Sequence, residues 1–158
     1  MNETLEATVK ERTRKIIEIN GALQENYKST IDLFANLLDM RHPKSNSDVP
    51  DIIHLVTDMA EMLNLPQREL IHLTRAANMR YMRQMSFADE LLFTPYILLS
   101  EEQKQEYKQY PLKGATLLKN IRPLVPVADI ILHHKEYLNG EGYPRGEKEG
   151  AIPKSAQI

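Results

Sequence analysis

The sequence predicts an all-α protein, a long N-terminal coiled-coil helix leading into a helical bundle. Three observations carry this reading. Apolar residues repeat every 3.5 positions along residues 5–40, later segments repeat at helical spacing between prolines and caps, and no stretch alternates with period two over a useful length. At 158 residues the chain is one domain's worth, or a domain with an attached helix. A chain of this size buries roughly 68–70% of its unfolded surface, so a proper core can form.

Composition narrows the function. The net charge is −2, with acids and bases mixed and no basic stripe, which argues against a nucleic-acid partner. With no cysteine, neither a disulfide frame nor a thiolate metal site exists. No run of about 18 apolar residues occurs, and the N-terminus is charged rather than signal-like. The expectation is a cytoplasmic protein without a membrane segment.

Along residues 5–40, Val9, Ile16, Leu23, Thr30 and Leu37 occupy one seam position, and Leu5, Arg12, Ile19, Asn26, Leu33 and Met40 the other. No proline interrupts them, and Gly21 is the one weak point. Such a helix would run roughly 54 Å at 1.5 Å per residue, too long for a compact domain to cover. A parallel homodimer is the favoured reading, with the polar seam residues Arg12, Asn26 and Thr30 fixing register; one long helix packed on its own domain is the alternative. The domain division is therefore residues 1–40, merging into the core from about residue 30, and residues 41–158.

Residues 41–50, with Pro43, Asn46 and Pro50, read as a loop. Residues 51–64 are amphipathic, with Ile52, Leu55, Val56, Met59, Ala60 and Leu63 on one face and His54 on the solvated one. Pro66 opens a helix running to about Met85, its stripe being Leu70, Leu73, Ala77 and Met82, with Met79 and Met85 as gap fillers. A short apolar segment, residues 87–99, is broken by Pro95. Ser100-Glu101-Glu102-Gln103 is a capping box opening a polar helix, and Pro111 opens another through Asn120. Pro126 suits the first turn of an apolar helix that ends in His133 and His134. Four of the six glycines, Gly140, Gly142, Gly146 and Gly150, follow, so the next loop has a specified path.

That loop carries a resemblance. His133-His134-Lys135-Glu136-Tyr137-Leu138-Asn139-Gly140-Glu141-Gly142-Tyr143-Pro144-Arg145-Gly146 resembles the HD-GYP signature HHE-x-x-DG-x-GYP-x-G, and residues 150–158 resemble the following IP-x-SARI. The HD-GYP family comprises bacterial cyclic di-GMP phosphodiesterases with two or three iron or manganese ions in a helical bundle. The resemblance implies metal activation of water against a phosphodiester. It also implies ligands at particular positions, and most are substituted here. The HD-x-GK ligands fall on Arg80 and Tyr81, with Gln84 for the lysine, and the histidine of HP-x-x-G falls on Tyr110. An early histidine falls on Asp48, and the signature's glutamate and aspartate are read as Lys135 and Asn139. The last carboxylate would lie beyond Ile158.

His133 and His134 are then the retained histidines, with Gly140, Gly142, Tyr143 and Pro144 as the other retained motif residues. Adjacent helical residues point about 100° apart and cannot easily grip one ion. Without partners they read as structural histidines, one packed and one at the surface. Arginine cannot lose its proton and repels a cation, so the expectation is no catalytic residue and no bound metal. Arg80 either fills the vacated position, pairing with Asp48 or the hydroxyls of Tyr81 and Tyr110, or faces solvent.

The resemblance thus implies a degenerate output module of a bacterial signalling protein, attached to an upstream input domain. Its dimer helix would pass on a signal, and Tyr143 and Arg145 on the stiff loop would meet a GGDEF-domain or other signalling partner. Two alternatives stand beside it. One is an active cyclic di-GMP phosphodiesterase with a rearranged site. The other is a cyclic dinucleotide binder that does not hydrolyse, using Arg80, Arg83 and Arg145.

Overall fold

The computed structural model describes the backbone of residues 2–41, 45–80 and 87–158, with side chains throughout except at 2–4, 35 and 38–50. Its first element, α1 (Asn2–Arg41), is one unbroken helix of 40 residues. Gly21 does not interrupt it, and the Thr30 hydroxyl returns to the Asn26 carbonyl at 2.8 Å, a polar seam residue satisfied within its own helix. Leu5, Val9, Ile16, Ile19, Leu23, Leu33 and Leu37 are all exposed. The apolar residues of the heptad seam are therefore exposed in this chain, interrupted by the polar Arg12, Asn26 and Thr30. The chain divides into two units, Met1–Asn36 and Leu37–Ile158.

The second unit is helical throughout its described elements: α2 (Ser45–Met62), α3 (Gln67–Met79), α4 (Asp89–Phe93), α5 (Glu101–Lys108), α6 (Tyr110–Lys119), α7 (Val125–His133) and α8 (Lys154–Gln157). Short 3₁₀ turns at Tyr96–Leu98, Arg122–Leu124 and Glu149–Ala151 link them. Among the described residues no strand forms, and an isolated bridge joins Asn139 to Lys148. None of these helices is long and apolar enough to cross a membrane.

Most predicted boundaries have visible chemistry. The Ser100 hydroxyl accepts from the Gln103 amide at 3.2 Å, and the Gln103 side chain accepts from the Ser100 amide at 2.9 Å, which completes the capping box. Pro111 and Pro126 sit in the first turns of α6 and α7. The turn after α2 closes at Asn64, with φ at 53°, so that the Leu65 amide reaches back to Ala60 at 2.9 Å.

One boundary differs. Helix α2 begins at Ser45, inside the stretch 41–50 read as a loop. Pro50 thus lies near the start of a helix, where it removes a single ladder bond. Packing of α2 against α3 outweighs that loss. The buried face of α2 is Val56 and Ala60, whereas Leu55 and Leu63 are exposed. In α3 the buried residues are Leu73, Ala76 and Met79 rather than Ala77; Met82 and Met85 lie outside the described residues.

Helix α7 is the centre of the unit. Val127, Ala128, Ile130, Ile131 and Leu132 are all buried, and α7 packs against α3, α6 and α8. A helix buried on most sides delivers its C-terminus, His133 and His134, into the interior. Alongside lies a cluster of Phe87, Leu91, Leu99 and Tyr110, with Tyr107 and Tyr143 packed against it.

Candidate functional site

His134 and Tyr110 meet where the resemblance places two metal ligands. The His134 Nδ1–H donates to the Ile131 carbonyl at 2.7 Å. That leaves Nε2 with its lone pair, and the Tyr110 hydroxyl donates to it at 2.8 Å. Tyr110 is 1% exposed and holds its ring edge-on to His134, with centroids 5.5 Å apart. Its oxygen also bonds to the phenol of Tyr143. A chain of bonds therefore runs from Tyr143 through Tyr110 to His134 and the α7 backbone.

Burial pushes the His134 imidazole down to about 4. The bond to Ile131 favours the charged form and opposes that fall, while the charges of Lys135 and Arg80 add to it. His134 is thus a neutral acceptor whose lone pair the tyrosine has taken. Burial raises the Tyr143 phenol well above the usual tyrosine range, with Tyr107 the next contribution. Replacing Tyr110 with Phe would strand the imidazole nitrogen. The expected cost is about 1–3 kcal/mol in urea unfolding, with the ring packing kept. An unchanged midpoint would show the bond to be idle.

His133 is engaged differently. It is 6% exposed, with Nδ1 2.7 Å from the Asp129 carbonyl and Nε2 3.0 Å from the Glu147 carboxylate. Oxygens therefore face both of its ring nitrogens. The reading of one packed and one surface histidine is corrected on this point: both are held by partners.

The loop that follows is built around Glu136, which sequence reasoning passed over. Its carboxylate is buried and accepts from the Arg145 amide at 2.7 Å and the Glu147 amide at 2.9 Å. The Tyr143 amide donates to the Lys135 carbonyl at 2.9 Å, which closes the loop at its waist. Gly140 and Gly146 take φ of 85° and 66°. The Tyr143–Pro144 peptide bond is cis. A Cβ on Gly142 would overlap the Tyr137 nitrogen and Glu136 Cα.

This carboxylate also corrects the reading of the signature. Counted back from Gly142-Tyr143-Pro144 at the signature's spacing, the aspartate falls on Asn139, the glutamate on Glu136 and the paired histidines on His134 and Lys135. Glu136 rather than Lys135 is therefore the glutamate, and His133 precedes the motif. The signal was in the spacing, since the segment is one residue longer than the pattern between the first histidine and the glycine.

The remaining candidates are spread out. Arg80 follows α3, is partly buried, and donates through Nη1 to the Ala77 carbonyl at 2.5 Å, a cation closing a helix C-terminus. Asn139 is exposed and folded onto Glu141, donating to its carboxylate at 2.8 Å and accepting its amide at 3.0 Å. Tyr143 is turned into the aromatic cluster rather than standing on an exposed loop, whereas Arg145 is exposed and paired with Glu147 at 3.2 Å. Tyr81, Arg83 and Gln84, and the side chain of Asp48, lie outside the described residues.

Iron or manganese would need imidazoles and carboxylates converging on one point. Among the described residues, no three or more His, Asp or Glu residues are grouped so as to hold an ion. An arginine, a tyrosine already bonded to the neighbouring histidine, and an exposed asparagine stand at ligand positions. These residues do not fit the metal cluster.

Comparison with known proteins places the chain in a family. The family model described as HD domain matches residues 32–158. The cyclic di-GMP phosphodiesterase response regulator RpfG of Xanthomonas campestris pv. campestris (strain 8004) is 27% identical over 147 residues, 92% of this chain and 39% of that protein. A cyclic di-GMP phosphodiesterase of Thermotoga maritima (strain ATCC 43589 / DSM 3109 / JCM 10099 / NBRC 100826 / MSB8) is 32% identical over 102 residues, 63% of this chain and 27% of that protein. The chain spans well under half the length of these curated relatives. With its helical unit, its match to the HD model and its closed Gly-Tyr-Pro loop, the chain belongs to the HD domain family, among the HD-GYP proteins.

Proposed function

We propose that this chain is a catalytically silent HD-GYP output module that works in cyclic di-GMP signalling through dimerisation and protein contacts. The observation that supports silence is the Tyr110–His134 bond, which occupies the lone pair a metal would need. The relatives named above are phosphodiesterases, and their names supply the signalling context. The test is elemental analysis of purified protein together with cyclic di-GMP hydrolysis under added manganese or iron(II). The reading expects neither stoichiometric metal nor turnover. Metal-dependent turnover would replace it with the active-enzyme reading.

Dimerisation rests on the seam along α1, whose apolar residues are exposed in a single chain. Sedimentation should give twice the 18.2 kDa of one chain. The double substitution Ile16→Asp and Leu23→Asp places charge at two seam positions and should return a monomer with less helix. A dimer unaffected by that change would remove α1 as the interface. Arg145, exposed beside the loop, is the residue we assign to a signalling partner such as a GGDEF domain.

A further inference from the structure

Two exposed apolar patches on the second unit carry opposite charge. Phe93, Ile97 and Leu98 stand out of α4 and the 3₁₀ turn after it, with Ile97 81% and Leu98 72% exposed. Tyr96 lies against Tyr107 with ring centroids 5.3 Å apart, which brings that turn alongside α5. Glu102 and Glu106, one turn apart on α5, are exposed, as are Glu90 and Glu101. Across residues 87–108 five acids stand against two lysines, and one of those, Lys104, is paired to Glu101 at 2.8 Å. The other patch is Leu117, Ile121 and Val125, spaced four residues apart from the last turn of α6 to the start of α7. Lys113, Lys119 and Arg122 are exposed within four residues of it along the chain, and no Asp or Glu occurs between Glu106 and Asp129.

We infer that these patches bind each other between copies of this chain, the acidic patch of one on the basic patch of another. Burying the apolar side chains of both patches supplies the attraction, and the opposite charges decide which faces meet. Acidic-on-acidic or basic-on-basic contacts would bring like charges together, which disfavours them. An unrelated partner would match one of the patches, whereas a second copy matches both. The contact uses none of the α1 seam residues, so it stands or falls apart from the dimer proposed above.

The full chain carrying Ile16→Asp and Leu23→Asp removes pairing through α1 and is the background for sedimentation, at concentrations above those at which that variant runs as a monomer. Self-association should appear there and weaken about tenfold or more at roughly 1 M salt, where the Debye length is about 3 Å. Glu102→Lys with Glu106→Lys, or Lys113→Glu with Arg122→Glu, should each weaken it about tenfold or more while the thermal midpoint stays in place. Mixing the two charge-reversed chains should restore association, because one then carries two basic patches and the other two acidic ones. That recovery also shows both chains to be folded. No self-association, reversed chains that associate like the parent, or a mixture no tighter than its components would each overturn the inference. So would a parent that stays monomeric yet binds an amphipathic lysine–leucine peptide through Glu102 and Glu106, which would give the acidic patch to another protein.

Discussion

Gly142→Ala should unfold the loop that carries the signature and lower stability by about 3 kcal/mol or more, at the top of the range for overpacking. The atoms in the way are backbone, the amide nitrogen of Tyr137 and Cα of Glu136, so no side-chain rotation relieves the overlap. To make room, the chain must move away from Glu136, whose two oxygens hold the Arg145 and Glu147 amides. Freeing a buried carboxylate from those donors adds its own desolvation cost. Tyr143 follows immediately and would leave its place against Phe87, Leu91, Leu99 and Tyr110. Urea unfolding measures the stability loss, and near-ultraviolet circular dichroism reports the tyrosine cluster. A variant with the parent's midpoint and spectrum would show that the loop does not hold this close path.

The second large effect is on pH. His134 titrates at about 4 in the folded chain, against an ordinary value of 6.5. Above 6.5 the imidazole is neutral in both folded and unfolded chains, and the stability it supports is fully present. As pH falls from 6.5 to 4, the unfolded chain takes up a proton that the folded chain refuses. Stability then declines by at most about 1.4 kcal/mol per pH unit, on the order of 3 kcal/mol across the window. Substituting His134→Gln removes this titration, so the stabilities of parent and variant should converge as pH drops through that window. Parallel curves would mean that His134 is not held neutral by Tyr110 and its burial.

Local chemistry made most of the fold legible in the sequence. The Ser100–Gln103 box and the prolines at the starts of α6 and α7 each act within a few residues, so their effect can be read in order along the chain. The start of α2 was missed because Pro43, Asn46 and Pro50 signal a break. Packing against α3, a contact made outside that stretch, decides the matter instead. Similarly, Ala76 faces inward where the periodicity favoured Ala77, while Met79 fills the core as its type suggested.

At the site, substituted ligand positions were visible as residue types, but their new partners were not. Tyr110 and His134 are 24 residues apart, and nothing local announces that a phenol will meet that imidazole. Tyr143 was read outward because a glycine-rich loop suggests exposure. Its direction is set by Glu136 and the backbone of Gly142, which only the folded loop brings together.

Nuclear magnetic resonance of the His134 ring under manganese titration addresses the replacement of a metal ligand most directly. The Tyr110 bond predicts a neutral ring carrying its proton on Nδ1, with signals that stay sharp as one equivalent of the paramagnetic ion is added. Selective broadening of that ring at stoichiometric manganese, with loss of the signature of an Nε2 acceptor, would mean that the ion displaces the tyrosine and that the site still binds metal.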